Sequence, residues 1–171
     1  MKLVDLKKQG FMTSRKILVR KDVADALKRA KEFLPKGHNF KIWSGNRTLA
    51  EQRELVERYE KYLKKEFPKN WYNLLVRYTG GREGLKVKKF SSMNHLSGGA
   101  VDLVIVKRRK KIPMGNFDLS EKDNLNYYEK KKSLNKKEKE MRDNRRLLKK
   151  VMRKVGFKSY NPEWWHWGYM K

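Results

Sequence analysis

The sequence has no cysteine in its 171 residues. The protein therefore has no disulfide bond and no thiolate nucleophile, and any zinc site must use histidine and carboxylate ligands. No apolar run reaches the roughly 20 residues that span a bilayer. Residues 1–16 also lack the apolar core of about 7–15 residues that marks a signal peptide. These absences predict a protein without a membrane span, located in the cytoplasm or released to the cell wall by another route.

Acidic residues are few: 19 Asp and Glu stand against 45 Lys and Arg, which gives a formal net charge of +26. This excess predicts contact with an anionic cell wall or another polyanion such as nucleic acid, with a solvated surface as the alternative. Aromatic residues make up 12% of the chain, which excludes a disordered polycation. Length predicts a single domain over 1–171, with an N-terminal extension over 1–19 and a basic loop over 129–140.

Apolar residues at three- and four-residue spacing predict a helix over 23–34 with Asp22 as its N-cap. Thr48 and Glu51 form a capping box at the start of a second helix. The second half of 129–154 has an apolar stripe and is predicted to be helical. These helices are long enough to cover one face of a small sheet.

Strands are predicted where apolar and β-branched residues cluster. The strongest signal is VDLVIV at 101–106, with a shorter strand at 40–44 and an aromatic strand or turn over 157–167. Helices and strands are partly segregated along the chain. We therefore expect an α+β fold with a small, mostly antiparallel sheet flanked by helices.

Histidine and acidic residues are the candidates for chemistry. His95 begins a segment that ends at Asp102, and His166 ends the run Glu163-Trp-Trp-His. Two imidazoles and one carboxylate are typical of a catalytic zinc with an open position for water, and a second carboxylate nearby can act as general base. Composition fits His95, Asp102 and His166 as ligands with Glu163 as base. It equally fits Glu163 as the ligand, with Asp102 interacting with the ligand residues and not with the metal.

Spacing constrains this site. Residues seven apart on a regular strand face opposite sides, so His95 and Asp102 need a break between them, which Gly98-Gly99 provides. Asp102 lies within an apolar strand, where an unpaired carboxylate is costly and requires a cation. Glu163 and His166 are three apart, which predicts a helical turn or a bend.

The segment from His95 to Asp102 resembles the H-x-x-G-x-A-x-D motif of the D-alanyl-D-alanine dipeptidases, which belong to the hedgehog-like zinc peptidases. Glu163-Trp-Trp-His166 resembles the E-W-W-H signature of the same branch. Three further segments resemble elements of that family in the same order: 46–52, 114–118 and 144–157. Together the matches cover roughly residues 20–169.

The resemblance implies a small D-amino-acid peptide as substrate and one Zn²⁺ per chain, held by His95, Asp102 and His166. Glu163 would move the proton of the attacking water, and Arg47 would stabilise the oxyanion. Asp118 would bind the substrate ammonium, and Trp164 and Trp165 would wall the pocket.

The sequence also departs from the family pattern. Met93 stands where the family has serine, Asn46 stands where it has tyrosine, and the Met114–Asp118 element is one residue shorter. These changes lie in elements that recognise substrate. The alternatives are a DD-carboxypeptidase or L-alanyl-D-glutamate endolysin acting on peptidoglycan, and a polyanion-binding domain without catalysis.

Overall fold

The structure, a computed structural model, describes residues 2–86 and 91–170. Its strands, in chain order, are β1 (Leu3–Asp5), β2 (Met12–Thr13), β3 (Leu18–Arg20), β4 (His38–Ser44), β5 (Ala100–Lys107), β6 (Lys110–Lys111), β7 (Phe157–Tyr160) and β8 (Glu163–Tyr169). Its α-helices are α1 (Lys21–Glu32), α2 (Leu49–Glu66), α3 (Trp71–Thr79), α4 (Tyr127–Lys130) and α5 (Lys136–Lys154).

The chain divides into two compact units, residues 1–46 with 92–171 and residues 47–91. In the first unit the main sheet has the order β2-β4-β5-β8-β7, and β6 pairs with β5. Every pair in this sheet is antiparallel except β2 with β4. Helix α5 packs against β5 and β7 and contacts α1. The predicted α+β class with a mostly antiparallel sheet is confirmed.

The N-terminal residues belong to the first unit. Strand β2 pairs in parallel with β4 at the edge of the main sheet, and β1 pairs with β3 in a separate two-stranded sheet. Leu6 and Ile17 are buried. The stretch 1–19, predicted as an extension, therefore contributes to the packing of this unit.

Two of the three long helices begin with a side-chain cap. The capping box of Thr48 and Glu51 opens α2 as predicted, and Asn135 with Glu138 forms a second box that opens α5. Of the predicted basic loop over 129–140, residues 129–130 thus end α4 and residues 136–140 begin α5, so only 131–135 lie outside a helix. The N-cap predicted for α1 was wrong, because Asp22 lies in the first turn and pairs with Arg20 at 3.0 Å.

The second unit consists of α2 and α3 with a short 3₁₀ helix at Glu83–Lys86. Val56 and Leu63 of α2 and Leu74 and Leu75 of α3 are its buried apolar residues. Gln52 is also buried and donates from Nε2 to the carbonyl oxygen of Thr79, 3.0 Å away. No helix in the described parts of either unit is long and apolar enough to cross a membrane.

Candidate metal centre

Three side chains from two adjacent strands and the turn before them come together in the first unit. Asp102 of β5 lies directly opposite His166 of β8 in the antiparallel register. His95 begins a 3₁₀ helix that ends at Gly98, whose φ is 67°. Strand β5 starts only at Ala100, so the predicted break between His95 and Asp102 is confirmed.

The possible ligand atoms of these residues face one another. His95 Nε2 lies 3.2 Å from His166 Nδ1 and 3.3 Å from Asp102 Oδ2, and His166 Nδ1 lies 3.0 Å from Asp102 Oδ1. Two ligands on a tetrahedral zinc with bonds of 2.0–2.1 Å are about 3.3 Å apart. Both the chemistry of the donors and their separations therefore fit a zinc ion.

A hydrogen bond of the Nδ1 atom of His95 determines which of its two ring nitrogens carries a proton. Nδ1 donates to the carbonyl oxygen of Gly45, 2.7 Å away. Because a carbonyl oxygen only accepts, Nδ1 keeps its proton, and Nε2 is the ring nitrogen that a neutral His95 would offer to a metal. This is the usual arrangement for a histidine that binds a metal, with its second nitrogen bonded to a backbone carbonyl.

Asp102 is 4% exposed and is flanked by both imidazoles. Burial acts to raise the pKa of its carboxyl group, but the charges and hydrogen bonds of His95 and His166 outweigh it and hold that pKa well below its ordinary value. The group is thus an anion at neutral pH. A buried anion beside two ring nitrogens is the electrostatic setting that a divalent cation requires.

Glu163 is the second acid at this site. It is 8% exposed, and its Oε2 lies 4.0 Å from His166 Nδ1. The predicted helical turn was wrong, because Glu163 and His166 both belong to β8. The register of the β7–β8 pair shifts between Ser159 and Tyr160, next to Glu163, and such irregularities re-aim side chains at the end of a strand.

The model of a protein family described as D-Ala-D-Ala dipeptidase matches residues 5–171. The chain belongs to the D-Ala-D-Ala dipeptidase family. Peptidases of this family depend on zinc, and the chain is accordingly a metallopeptidase with a candidate metal group made of His95, Asp102 and His166. No curated protein matches the chain significantly.

In this member of the dipeptidase family, aromatic side chains cluster around the two tryptophans of β8. Trp164 and Trp165, between Glu163 and His166, are 1% and 7% exposed. The exposed ring of Phe117 lies 4.4 Å from that of Trp165 and 5.0 Å from that of Trp43, between ring centroids. The two tryptophans are predicted wall residues, whereas no sequence pattern indicates the contacts of Trp43 and Phe117.

Two other predicted residues of the site lie in different parts of the fold. Asp118 is exposed on the loop between β6 and α4, in the same unit as the metal group. Its backbone N–H donates to Oδ1 of the buried Asp123, 3.0 Å away. Arg47 is the first residue of the second unit, where its Nη1 donates to Gln52 Oε1 at 3.1 Å. The roles implied for Asp118 and Arg47 stay predictions.

Arg20 supports the His95 turn and was not picked out from the sequence. Its Nη1 donates to the carbonyl oxygen of Ser92 at 2.7 Å, and its Nη2 donates to that of Tyr169 at 3.1 Å. Its backbone N–H donates to the carbonyl oxygen of Gly98 at 3.0 Å. Arg20 thus links the turn that carries His95 to the end of β8. No local pattern marks it, because an arginine before a helix is usually a surface residue.

Gly99→Ala is expected to destabilise this turn. A Cβ atom there would lie 1.6 Å from the backbone oxygen of Ser92 and 2.8 Å from Arg20 Nη1. Because backbone must move to admit it, we expect urea unfolding to show a loss of about 3 kcal/mol in the free energy of unfolding. Gly84→Ala is the matched control, since its Cβ would meet nothing within 4 Å. It should change stability by less than about 0.5 kcal/mol, and equal effects would contradict the packing argument.

Proposed function

We propose that this metallopeptidase hydrolyses D-Ala-D-Ala or a similar short D-amino-acid dipeptide. One observation carries the proposal: His95, Asp102 and His166 converge with their donor atoms 3.0–3.3 Å apart, and Glu163 stands next to them. The family match over residues 5–171 supports the same class of substrate.

His95, Asp102 and His166 would hold the ion through His95 Nε2, His166 Nδ1 and the Asp102 carboxylate. When bound, zinc supplies Lewis-acid polarisation of the scissile carbonyl and lowers the pKa of water. The His95–Gly45 hydrogen bond orients one imidazole without any contribution from the metal. Asp102 neutralises part of the positive charge, and the neighbouring apolar strand residues keep bulk water away from it.

Glu163 is assigned the proton transfers. Its carboxylate accepts a proton from the attacking water as the C–O bond forms. It then gives that proton to the amino nitrogen of the leaving D-alanine as the C–N bond breaks. At 8% exposure, this carboxylate is largely shielded from bulk water.

Arg47 and Asp118 are assigned to substrate charge. The guanidinium of Arg47 would stabilise the oxyanion that forms during attack, a task suited to a fixed cation with several donors. Asp118 would pair with the free ammonium of the dipeptide. That pairing favours substrates with an unblocked amino terminus, and Trp164 and Trp165 would limit the space around them.

The substrate is tested by comparing three compounds on the zinc-loaded protein: D-Ala-D-Ala, N-acetyl-D-Ala-D-Ala and a peptidoglycan pentapeptide. We expect kcat/KM for the free dipeptide to exceed that for the acetylated one by about 10- to 100-fold, because acetylation removes the charge that Asp118 would pair. Released D-alanine is measured by chromatography.

Faster cleavage of the pentapeptide or of whole peptidoglycan would contradict the dipeptide proposal. It would favour a DD-carboxypeptidase or an endolysin, for which the net charge of +26 would help to hold an anionic wall. Absence of hydrolysis of all three compounds, combined with tight and salt-sensitive binding of a polyanion, would favour a binding domain.

A further inference from the structure

A buried arginine lies under the loop that carries Asp118. Arg145 of α5 is 3% exposed, although it is surrounded by a helix surface rich in exposed cations. A buried guanidinium is costly unless its donors are satisfied and its charge is compensated. The contacts of Arg145 therefore show what this cation stabilises.

One guanidinium binds both ends of the loop. Its Nε donates to the carbonyl oxygen of Met114 at 2.7 Å, and its Nη1 donates to those of Lys122 and Asn124, each at 3.0 Å. The residues between these anchors, 115–121, include Asp118. The planar fork of an arginine suits this task, since its donors reach several acceptors at fixed angles.

The same guanidinium also contacts the metal strand. It lies 4.8 Å from the ring centroid of Trp164, directly after Glu163, and 4.8 Å from that of Tyr128. Cations stack favourably on such rings, and more so when desolvated. Arg145 therefore connects three parts of the first unit: α5, the Asp118 loop and the Glu163 end of β8.

The intrinsic backbone preferences of its residues do not stabilise this loop conformation. Leu119, next to Asp118, has a φ of 50°, a left-handed conformation that is unfavourable for a residue other than glycine. Gly115 has a φ of 102°, and a Cβ there would lie 2.4 Å from Arg145 Nη2. Arg145 Nη2 is buried without a hydrogen-bond partner in the structure. The guanidinium therefore occupies the space that a side chain at position 115 would fill. Its hydrogen bonds in turn stabilise the strained conformation of this loop.

We propose that Arg145 is a positioning residue that fixes Asp118 relative to the Glu163 end of β8 and so sets the preference for peptides with a free amino terminus. The inference rests on the proposed function of Asp118. Among the described residues, Arg145 donates to backbone carbonyl oxygens and stacks on two rings, and it would act on the substrate through the loop. Its loss should weaken recognition of the substrate ammonium more than the bond-breaking step.

The test compares Arg145→Lys with Lys150→Met, an exposed cation removed from the same helix. Lysine keeps the charge but lacks the fork that reaches three carbonyls. For Arg145→Lys we expect KM for D-Ala-D-Ala to rise about tenfold with kcat within about threefold, the pattern of lost substrate binding. The preference over N-acetyl-D-Ala-D-Ala should fall about tenfold, and the same direction of change is expected for Asp118→Asn. Zinc content should stay at one per chain, and Lys150→Met should match the unmodified protein.

Retention of the full preference in folded, zinc-loaded Arg145→Lys would overturn the inference and leave the dipeptidase proposal intact. If Arg145→Lys does not fold, Gly115→Ala tests the same contact from the loop side, because its Cβ would displace the guanidinium. If the unmodified protein hydrolyses neither compound, the dipeptidase proposal fails. The preference is then measured by calorimetric binding of both compounds to the zinc-loaded protein, with and without Arg145→Lys. Equal preference in the two proteins, or none in either, overturns the inference.

Discussion

Glu163→Gln is expected to lower kcat for D-Ala-D-Ala by about 10²–10⁴-fold while one zinc per chain remains bound. General acid and base catalysis by a positioned side chain contributes this range. The amide of glutamine is close in shape to the carboxylate, so packing at this buried position changes little. The glutamine amide, however, cannot accept a proton from water at neutral pH. Stopped assays of D-alanine release, together with elemental analysis of the same samples, measure both quantities.

Two further variants test whether this effect is specific to Glu163 and whether Asp102 or Glu163 is the metal ligand. Glu140→Gln removes an exposed carboxylate from α5 and should leave kcat unchanged. Asp102→Asn separates the two ligand assignments that composition leaves open. If Asp102 is the ligand, Asp102→Asn loses zinc and Glu163→Gln keeps it. The reverse pattern would make Glu163 the ligand, and an active Glu163→Gln would refute its role as base.

The residues of the candidate metal group could be picked out because a carboxylate within an apolar strand is uncommon, and the family resemblance then favoured one of the two ligand assignments that composition left open. Asp102 inside an apolar strand requires a cation, and the two glycines before that strand supply the break that brings His95 back toward it. Both features are local in sequence. The pairing of β5 with β8, which places His166 opposite Asp102, joins residues 64 apart. The family resemblance implied both residues as ligands, but no sequence pattern predicted this strand pairing.

The supporting contacts were harder to predict because they use the backbone. The hydrogen bond from His95 to the Gly45 carbonyl depends on no side chain at position 45. Arg145 did leave a sequence signal, since it falls on the apolar stripe of α5 between Met141 and Leu148. In a helix with many cations, a single arginine on the apolar face is easily taken for another surface charge. Burial at 3% exposure shows that this one belongs to the core.

The high net charge is largely separate from the candidate site. Five consecutive cations at 107–111, from the end of β5 through the turn into β6, are exposed, and many others cover α5. They lie outside the group formed by His95, Asp102 and His166. An anionic cell wall or other polyanion thus remains a predicted partner of the surface, and the proposed chemistry does not depend on it.

His95→Ala is expected to abolish both zinc binding and hydrolysis. It removes one of the three proposed protein ligands, and with it the nitrogen that lies 3.2 Å from His166 Nδ1 and 3.3 Å from Asp102. Elemental analysis should fall from about one zinc per chain to near zero. His38→Ala is the matched control, because the Nδ1 atom of His38 bonds only the local carbonyl oxygens of Pro35 and Lys36 among the contacts described. It should keep both zinc and activity.

Removal of the metal should also lower the stability of the unmodified protein. A ligand present at 100 times its Kd stabilises the folded state by about 2.7 kcal/mol. For a chain of this length, that corresponds to a fall in Tm of about 5–10 °C when a chelator is added. His95→Ala should show no such shift, because it has no bound zinc to lose. If the unmodified protein contains no zinc and gains neither stability nor hydrolysis when zinc is added, the metallopeptidase site is not functional in this chain. A chelator effect that persists in His95→Ala would place the metal elsewhere.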